Sequence, residues 1–99
     1  MNLVLPEFTE EVYDEHLNDL EPKWSKEETF YLWDLLKTYE MRFFVVFDRY
    51  DVDKFPRTID EIKHRFYMIS RKLAELKNDK NSPFFSYEYD YSYEQYRKF

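Results

Sequence analysis

The chain has 99 residues, 22% of them aromatic and 36% charged, with a formal net charge of −6 and neither glycine nor cysteine. That length suits one small domain with flanking arms, and the chain reads as part of a larger protein. Without glycine there is no phosphate-cradling loop or dinucleotide fingerprint, and without cysteine no disulfide, thiolate nucleophile or Cys-type zinc site.

Residues 1–23 hold seven acids against one base and read as an acidic N-terminal arm with a short helix. Leu5 precedes Pro6, which disfavours helical backbone before it. Thr9 is placed to cap a helix reaching Leu17 or Leu20, with Glu10 and Glu11 at the positive end of its dipole. Phe8, one residue before that cap, and Tyr13, four after it, have the spacing of a hydrophobic staple. Pro22 ends the arm.

Residues 24–77 carry the pattern of a folded domain. After Trp24, Ser25 and Glu28 have capping-box spacing: the hydroxyl caps the helix and the carboxylate reaches back to the cap amide. Leu32, Leu35, Leu36 and Tyr39 then recur on one helical face. Phe30 falls about 160° from Leu32 around that helix, so it is expected either under an arm or at a partner contact. Following a turn at Glu40 to Arg42, Phe43, Val46, Phe47 and Tyr50 fall at i, i+3, i+4 and i+7, which favours a helix over a strand. Asp51 to Pro56 reads as a loop. Thr58 and Glu61 repeat the capping box ahead of Ile62, Phe66, Ile69, Leu73 and Leu76. The expected core is Trp24, Leu32, Trp33, Leu36, Phe43, Phe47, Tyr50, Ile62, Phe66, Ile69 and Leu73.

Residues 78–99 form a Tyr-rich extension: a polar breaker from Asn78 to Pro83, then Phe84, Phe85 and tyrosines at 87, 89, 91, 93 and 96. The tyrosines alternate with serine or acids in a strand-like period, yet a helical domain has no sheet for them to join. Two readings stand: the segment packs some rings back onto the helices, or Tyr87, Tyr89 and Tyr91 dock on a partner. Ser92 and Gln95 mark the start of a further helix.

Trp24-Ser25-Lys26-Glu27-Glu28-Thr29, Leu32-Trp33-Asp34-Leu35, Arg42-Phe43, Asp48-Arg49-Tyr50 and Glu61 to Tyr67 together resemble the SANT domain of the DNA-methyltransferase-associated-protein family, fungal chromatin-complex subunits among them. The resemblance covers roughly residues 24 to 77. It implies an all-α fold: a three-helix SANT/Myb-like bundle with an N-terminal helical arm and an aromatic C-terminal extension. It further implies a nuclear, non-catalytic subunit of a nucleosomal histone acetyltransferase complex and of a histone-variant exchange remodelling complex, whose partners are the other subunits of those complexes and histones.

Charge discriminates between the ways such a fold is used. Only residues 58–80 are basic, with six bases against four acids. A duplex reader gains affinity from clustered Lys and Arg that displace counterions, so weak or no intrinsic DNA binding is expected, and the acidic arm suits basic partners such as histones. In a Myb-like DNA-binding domain, the alternative, the outward face of the third helix enters the major groove. Here helical geometry puts Asp60, His64, Tyr67, Met68, Arg71 and Glu75 on that face, mixed in sign and better suited to protein contact. The partner-binding candidates are thus His64, Tyr67, Met68, Arg71, Phe30, Tyr87, Tyr89 and Tyr91. Two isolated histidines, His16 and His64, predict no metal site. Asp48, Asp51 and Asp53 surround a loop without a nucleophile or a calcium-loop glycine, so no catalytic site, cofactor or small-molecule substrate is expected. No run is long and apolar enough for a membrane span and no secretory signal is evident, so the chain reads as soluble and intracellular.

Overall fold

The computed structural model describes residues 5–82, all helix and connecting turns with no strand among them. Helix α1 (Glu10–Val12) runs directly into a π-helical segment, Tyr13–Leu17; α2 is Lys26–Thr38, α3 Phe43–Arg49 and α4 Ile59–Leu76. The extension from residue 83, with Tyr87, Tyr89 and Tyr91 and the further helix expected near Ser92, lies outside the described residues.

Local chemistry accounts for the boundaries. Thr9 caps α1 by accepting from the Val12 amide at 3.2 Å. The Phe8 and Tyr13 rings of the staple stand 6.4 Å apart. Thr58 and Glu61 make the complete capping box of α4: the Glu61 amide donates to the Thr58 hydroxyl at 3.2 Å, and the Thr58 amide to the Glu61 carboxylate at 2.8 Å. The box expected at α2 is only half made. Ser25 caps it, accepting from the Glu28 amide at 3.0 Å, but the Glu28 side chain turns inward, where a guanidinium offers a stronger partner than a neutral amide.

With no glycine available, two helices end on ordinary residues in left-handed backbone. Glu40 (φ 53°) and Met41 (φ 60°) close α2, where the Met41 amide reaches the Leu36 carbonyl at 2.7 Å. Asn78 (φ 49°) closes α4 in the same way, with the Asp79 amide on the Ala74 carbonyl at 3.0 Å. This is the Schellman pattern that glycine usually serves, and a β-carbon there carries a steric penalty.

The three long helices enclose one core. Leu32, Leu36, Val46, Ile62, Phe66 and Ile69 are fully buried, with Trp24, Trp33, Tyr50 and Leu73 nearly so. Two expectations shift. Val46 sits at the centre of the α3 contact, whereas Phe43 and Phe47 lie half-buried at its edge; a seven-residue helix presents its middle most deeply. The arm also contributes directly to the core, since Tyr13 and Leu17 are completely buried. The Trp33 indole N–H donates to the Pro6 carbonyl at 2.8 Å, and Phe8 lies 5.3 Å from both Phe30 and Trp33. Phe30 is therefore covered by the arm and packs within the chain.

Candidate functional site

Two arginines, one before α4 and one within it, are drawn inside the molecule. Arg65 stands three residues after Ile62, on the same face, and is wholly buried. Its guanidinium donates to the Thr29 hydroxyl at 2.9 Å, the Tyr13 hydroxyl at 3.2 Å and the Glu21 carboxylate at 3.2 Å. Arg57 forms a two-pronged pair with Glu28, both bonds 2.8 Å long, and also donates to the Lys23 carbonyl at 2.7 Å. The Tyr50 hydroxyl donates to the same carboxylate at 2.7 Å. Burial, the Glu28 hydrogen bond and the negative charge beside it raise the Tyr50 phenol well above the usual tyrosine range. The bond to Glu28, which outweighs partial desolvation, raises Arg57 as well. The Trp24 ring joins the two clusters, with the Arg57 guanidinium 4.0 Å and that of Arg65 5.4 Å from its centroid. Trp24 is thus the junction of arm, α2 and α4, through cation–π contacts as well as apolar area.

This wiring alters the expected outward face of α4. His64, placed on that face by helical geometry, has a side chain only 14% exposed, because the arm crosses α4 and sets Glu21 3.2 Å from its Nε2. The expectation of an exposed His64 is corrected: the arm covers it, a tertiary contact that no single-helix projection contains. Desolvation alone would push the Glu21 carboxyl up, but the His64 hydrogen bond and the Arg65 charge together hold it below its ordinary value. Tyr67 is half-buried, its ring 6.5 Å from Phe43 and nearly parallel to it; burial raises its phenol. Met68 is half-buried, as is Arg71, whose Nε donates to Glu75 at 3.1 Å.

The outer surface therefore has three parts. Along α4 run Asp60, Tyr67, Met68, Arg71 and Glu75, mixed in sign. Across the arm six acids are exposed, Glu7, Glu10, Glu11, Asp14, Glu15 and Asp19, with Lys23 the one exposed Lys or Arg among the described residues there. At the α3–α4 edge Phe44 is 79% exposed, with the Lys63 ammonium 5.7 Å from its ring centroid. No group of three or more metal-ligating side chains occurs among the described residues, and none of their helices is long and apolar enough to cross a membrane.

A three-helix core entered by a capped Trp-Ser-x-Glu-Glu segment meets its counterpart in comparison with known proteins. The family model for the SANT/Myb-like domain of DAMP1 matches residues 1–74. The chain belongs to this family. It is 44% identical over 82 residues to SWR1-complex protein 4 of Schizosaccharomyces pombe, covering 81% of this chain and 18% of that protein. The Eremothecium gossypii SWR1-complex protein 4 is 38% identical, over 97% of this chain and 21% of its own length. DNA methyltransferase 1-associated protein 1 of Drosophila melanogaster is 34% identical, over 97% of this chain and 22% of its own length. The chain thus spans about a fifth of each of these three relatives. The family match begins at residue 1, so it takes in the arm as well as the three long helices.

Sequence reasoning missed Glu28, Arg57 and Arg65 as a buried polar set, and Phe44 as an exposed ring. Arg65 left one signal, a charge at i+3 from Ile62 on an otherwise apolar stripe. Phe44 left another, an aromatic off the Phe43–Val46–Phe47–Tyr50 face.

Proposed function

We propose that this chain is the SANT-type interaction module of a non-catalytic subunit of a nuclear chromatin-modifying assembly, and that it contacts neighbouring subunits or histones and does not read DNA. The names of its relatives, SWR1-complex protein 4 among them, support membership of such an assembly. The family resemblance carried by residues 24–77 extends the proposal to a nucleosomal histone acetyltransferase complex and a histone-variant exchange remodeller.

One observation carries the choice of protein over DNA: Arg57, His64 and Arg65, three of the basic side chains at and within α4, are paired with carboxylates of α2 and the arm. Arg65 is wholly buried, the Arg57 side chain is 11% exposed and paired with Glu28, and the arm lays Glu21 against His64. What remains outward on α4 is mixed in sign and flanked by an acidic arm, which repels phosphates and favours basic protein segments. Tyr67, Met68 and Arg71 are the residues proposed for subunit contact, with the arm for basic partners.

Anisotropy titration of a labelled 20-base-pair duplex into the 99-residue chain at about 0.15 M salt tests this, with binding no tighter than the nonspecific range of roughly 10⁻⁴ to 10⁻⁶ M expected. Sub-micromolar affinity with a steep salt dependence would establish the Myb-like DNA-binding alternative instead. In cells, the triple change Tyr67→Ala, Met68→Ala and Arg71→Glu is expected to reduce co-purification of the native assembly while nuclear localisation is retained.

A further inference from the structure

The cover that the arm lays over α2 is incomplete. From the cleft it leaves, we propose a binding site for the side chain of one lysine from a basic protein segment, held between Glu7 of the arm and Asp34 of α2. The site rests on the proposed contact between this domain and basic partners, and it gives that contact a place and a chemistry.

The cleft follows from helix geometry. Phe30, Trp33, Asp34 and Lys37 fall at i, i+3, i+4 and i+7, one stripe of α2. The arm at Leu5 to Phe8 crosses that stripe, tied to it by the Trp33 indole N–H on the Pro6 carbonyl at 2.8 Å. Between the two elements lies an open cleft of about 290 Å³. Its apolar lining is Trp33 with the half-buried Leu5, Phe8 and Phe30, the Phe8 ring standing 5.3 Å from each of the other two rings. Its polar lining is Glu7 from one element and Asp34 and Lys37 from the other, all exposed. Acids elsewhere on the arm and α2 hold cations: Glu10 and Asp14 hold Lys26, Glu27 holds Lys54 and Glu28 holds Arg57. Glu7 and Asp34 have neither an ion pair nor a side-chain hydrogen bond among the described residues.

These groups meet the needs of a lysine. Its aliphatic stem lies along apolar and aromatic surface, its ammonium is attracted to ring faces, and its three diverging N–H donors serve carboxylates on two separate elements. A guanidinium presents its donors in one plane, which suits a single two-oxygen acceptor, as Arg57 finds in Glu28, better than two acids on different walls. The volume suits one side chain and falls short of what a drug-sized ligand fills. Charge agrees as well. The lining carries two acids against one base, beside an N-terminal stretch in which residues 1–23 hold seven acids against one base, so the local field draws cations in. Lys37, one turn beyond Trp33, is the like charge that the ligand meets. Acetylation of the incoming lysine removes its charge, so the cleft distinguishes the two states of that residue.

The experiment is a titration of the ¹⁵N-labelled 99-residue chain, followed in amide and indole N–H spectra. The probe is a capped nine-residue alanine–serine peptide with one central lysine, with acetyl-lysine and arginine counterparts, and a penta-lysine peptide serves as a general basic ligand. The lysine peptide is expected to bind with a Kd of about 1 mM or tighter. The shifts should centre on Phe30, Asp34 and the Trp33 indole, while the indole of Trp24, the other tryptophan, stays in place. Acetyl-lysine should weaken binding about tenfold, and the exposed pair Glu7→Gln/Asp34→Asn about fivefold with the melting midpoint within a few degrees of the parent. Lys37→Ala should tighten it about twofold. Equal binding of the acetylated peptide, equal binding of the arginine peptide, or indifference to the Gln/Asn pair would each overturn the lysine site. Penta-lysine shifting the amides of Glu10 to Asp19 while Phe30, Asp34 and the Trp33 indole stay fixed would overturn the site and leave the contact with basic partners standing. No response to penta-lysine anywhere would remove both.

Discussion

Glu28→Gln separates two physical roles for one residue. In a capping box glutamine serves about as well as glutamate, so the sequence pattern Ser25-x-x-Glu28 predicts almost no loss. The fold gives Glu28 other work: its side chain is 4% exposed and accepts two 2.8 Å bonds from Arg57 and one of 2.7 Å from the Tyr50 hydroxyl. A glutamine offers one oxygen where three donors converge, and its NH2 faces a guanidinium N–H. Breaking a buried pair costs about 3 to 5 kcal/mol when the surviving charge is stranded. Arg57 keeps the Lys23 carbonyl and a Glu61 carboxylate 3.6 Å away on a side chain 39% exposed, which lowers the expected loss to about 2 to 4 kcal/mol. For a domain of this size that is a fall in Tm of roughly 10 to 25 °C. Urea unfolding followed by circular dichroism and tryptophan fluorescence measures it, and the Glu28→Gln/Arg57→Met cycle isolates the pair. A loss under about 0.5 kcal/mol would mean that Glu28 acts as a cap residue and that the inward pair is not the stabilising arrangement.

Trp24→Ala is expected to cost roughly 3 to 5 kcal/mol, because it removes a buried ring and both cation–π contacts; a melting shift of only a few degrees would place Trp24 at the periphery. Glu40→Gly should stabilise the chain by about 0.5 to 1 kcal/mol in urea titration, since φ 53° suits glycine, and a loss would show that the Glu40 side chain earns its place by another contact. Because the Glu21 carboxyl is held below its ordinary value in the fold, its contribution is fully present above the unfolded value near 4.3 and is lost as pH falls through the folded one. Stability should drop from about pH 5 downward, and Glu21→Gln should flatten that slope in a melting series. The raised Tyr50 phenol has the opposite sense: its share is intact below about pH 10 and declines above it, a decline that Tyr50→Phe should remove.

Much of the architecture follows from local chemistry alone. Both helix starts at Ser25 and Thr58, the arm's cap at Thr9, the Phe8–Tyr13 staple and the apolar stripe Ile62–Phe66–Ile69–Leu73 depend on contacts within a few residues, which spacing encodes directly. Family membership was legible for the same reason, since the residues that carry it are those that start helices and fill the core. Tertiary structure decided where charge went. Whether Glu28 turns back to its own helix or inward to Arg57, whether Arg65 faces water or Tyr13, and whether His64 lies open or beneath Glu21 depend on residues up to 52 positions apart in sequence. Helical projection treats each helix in isolation, so it assigned His64 to solvent and left Arg65 unweighed. The same limit hid Phe44, because a ring off one helix's apolar face becomes significant only once a neighbouring helix sets a lysine beside it.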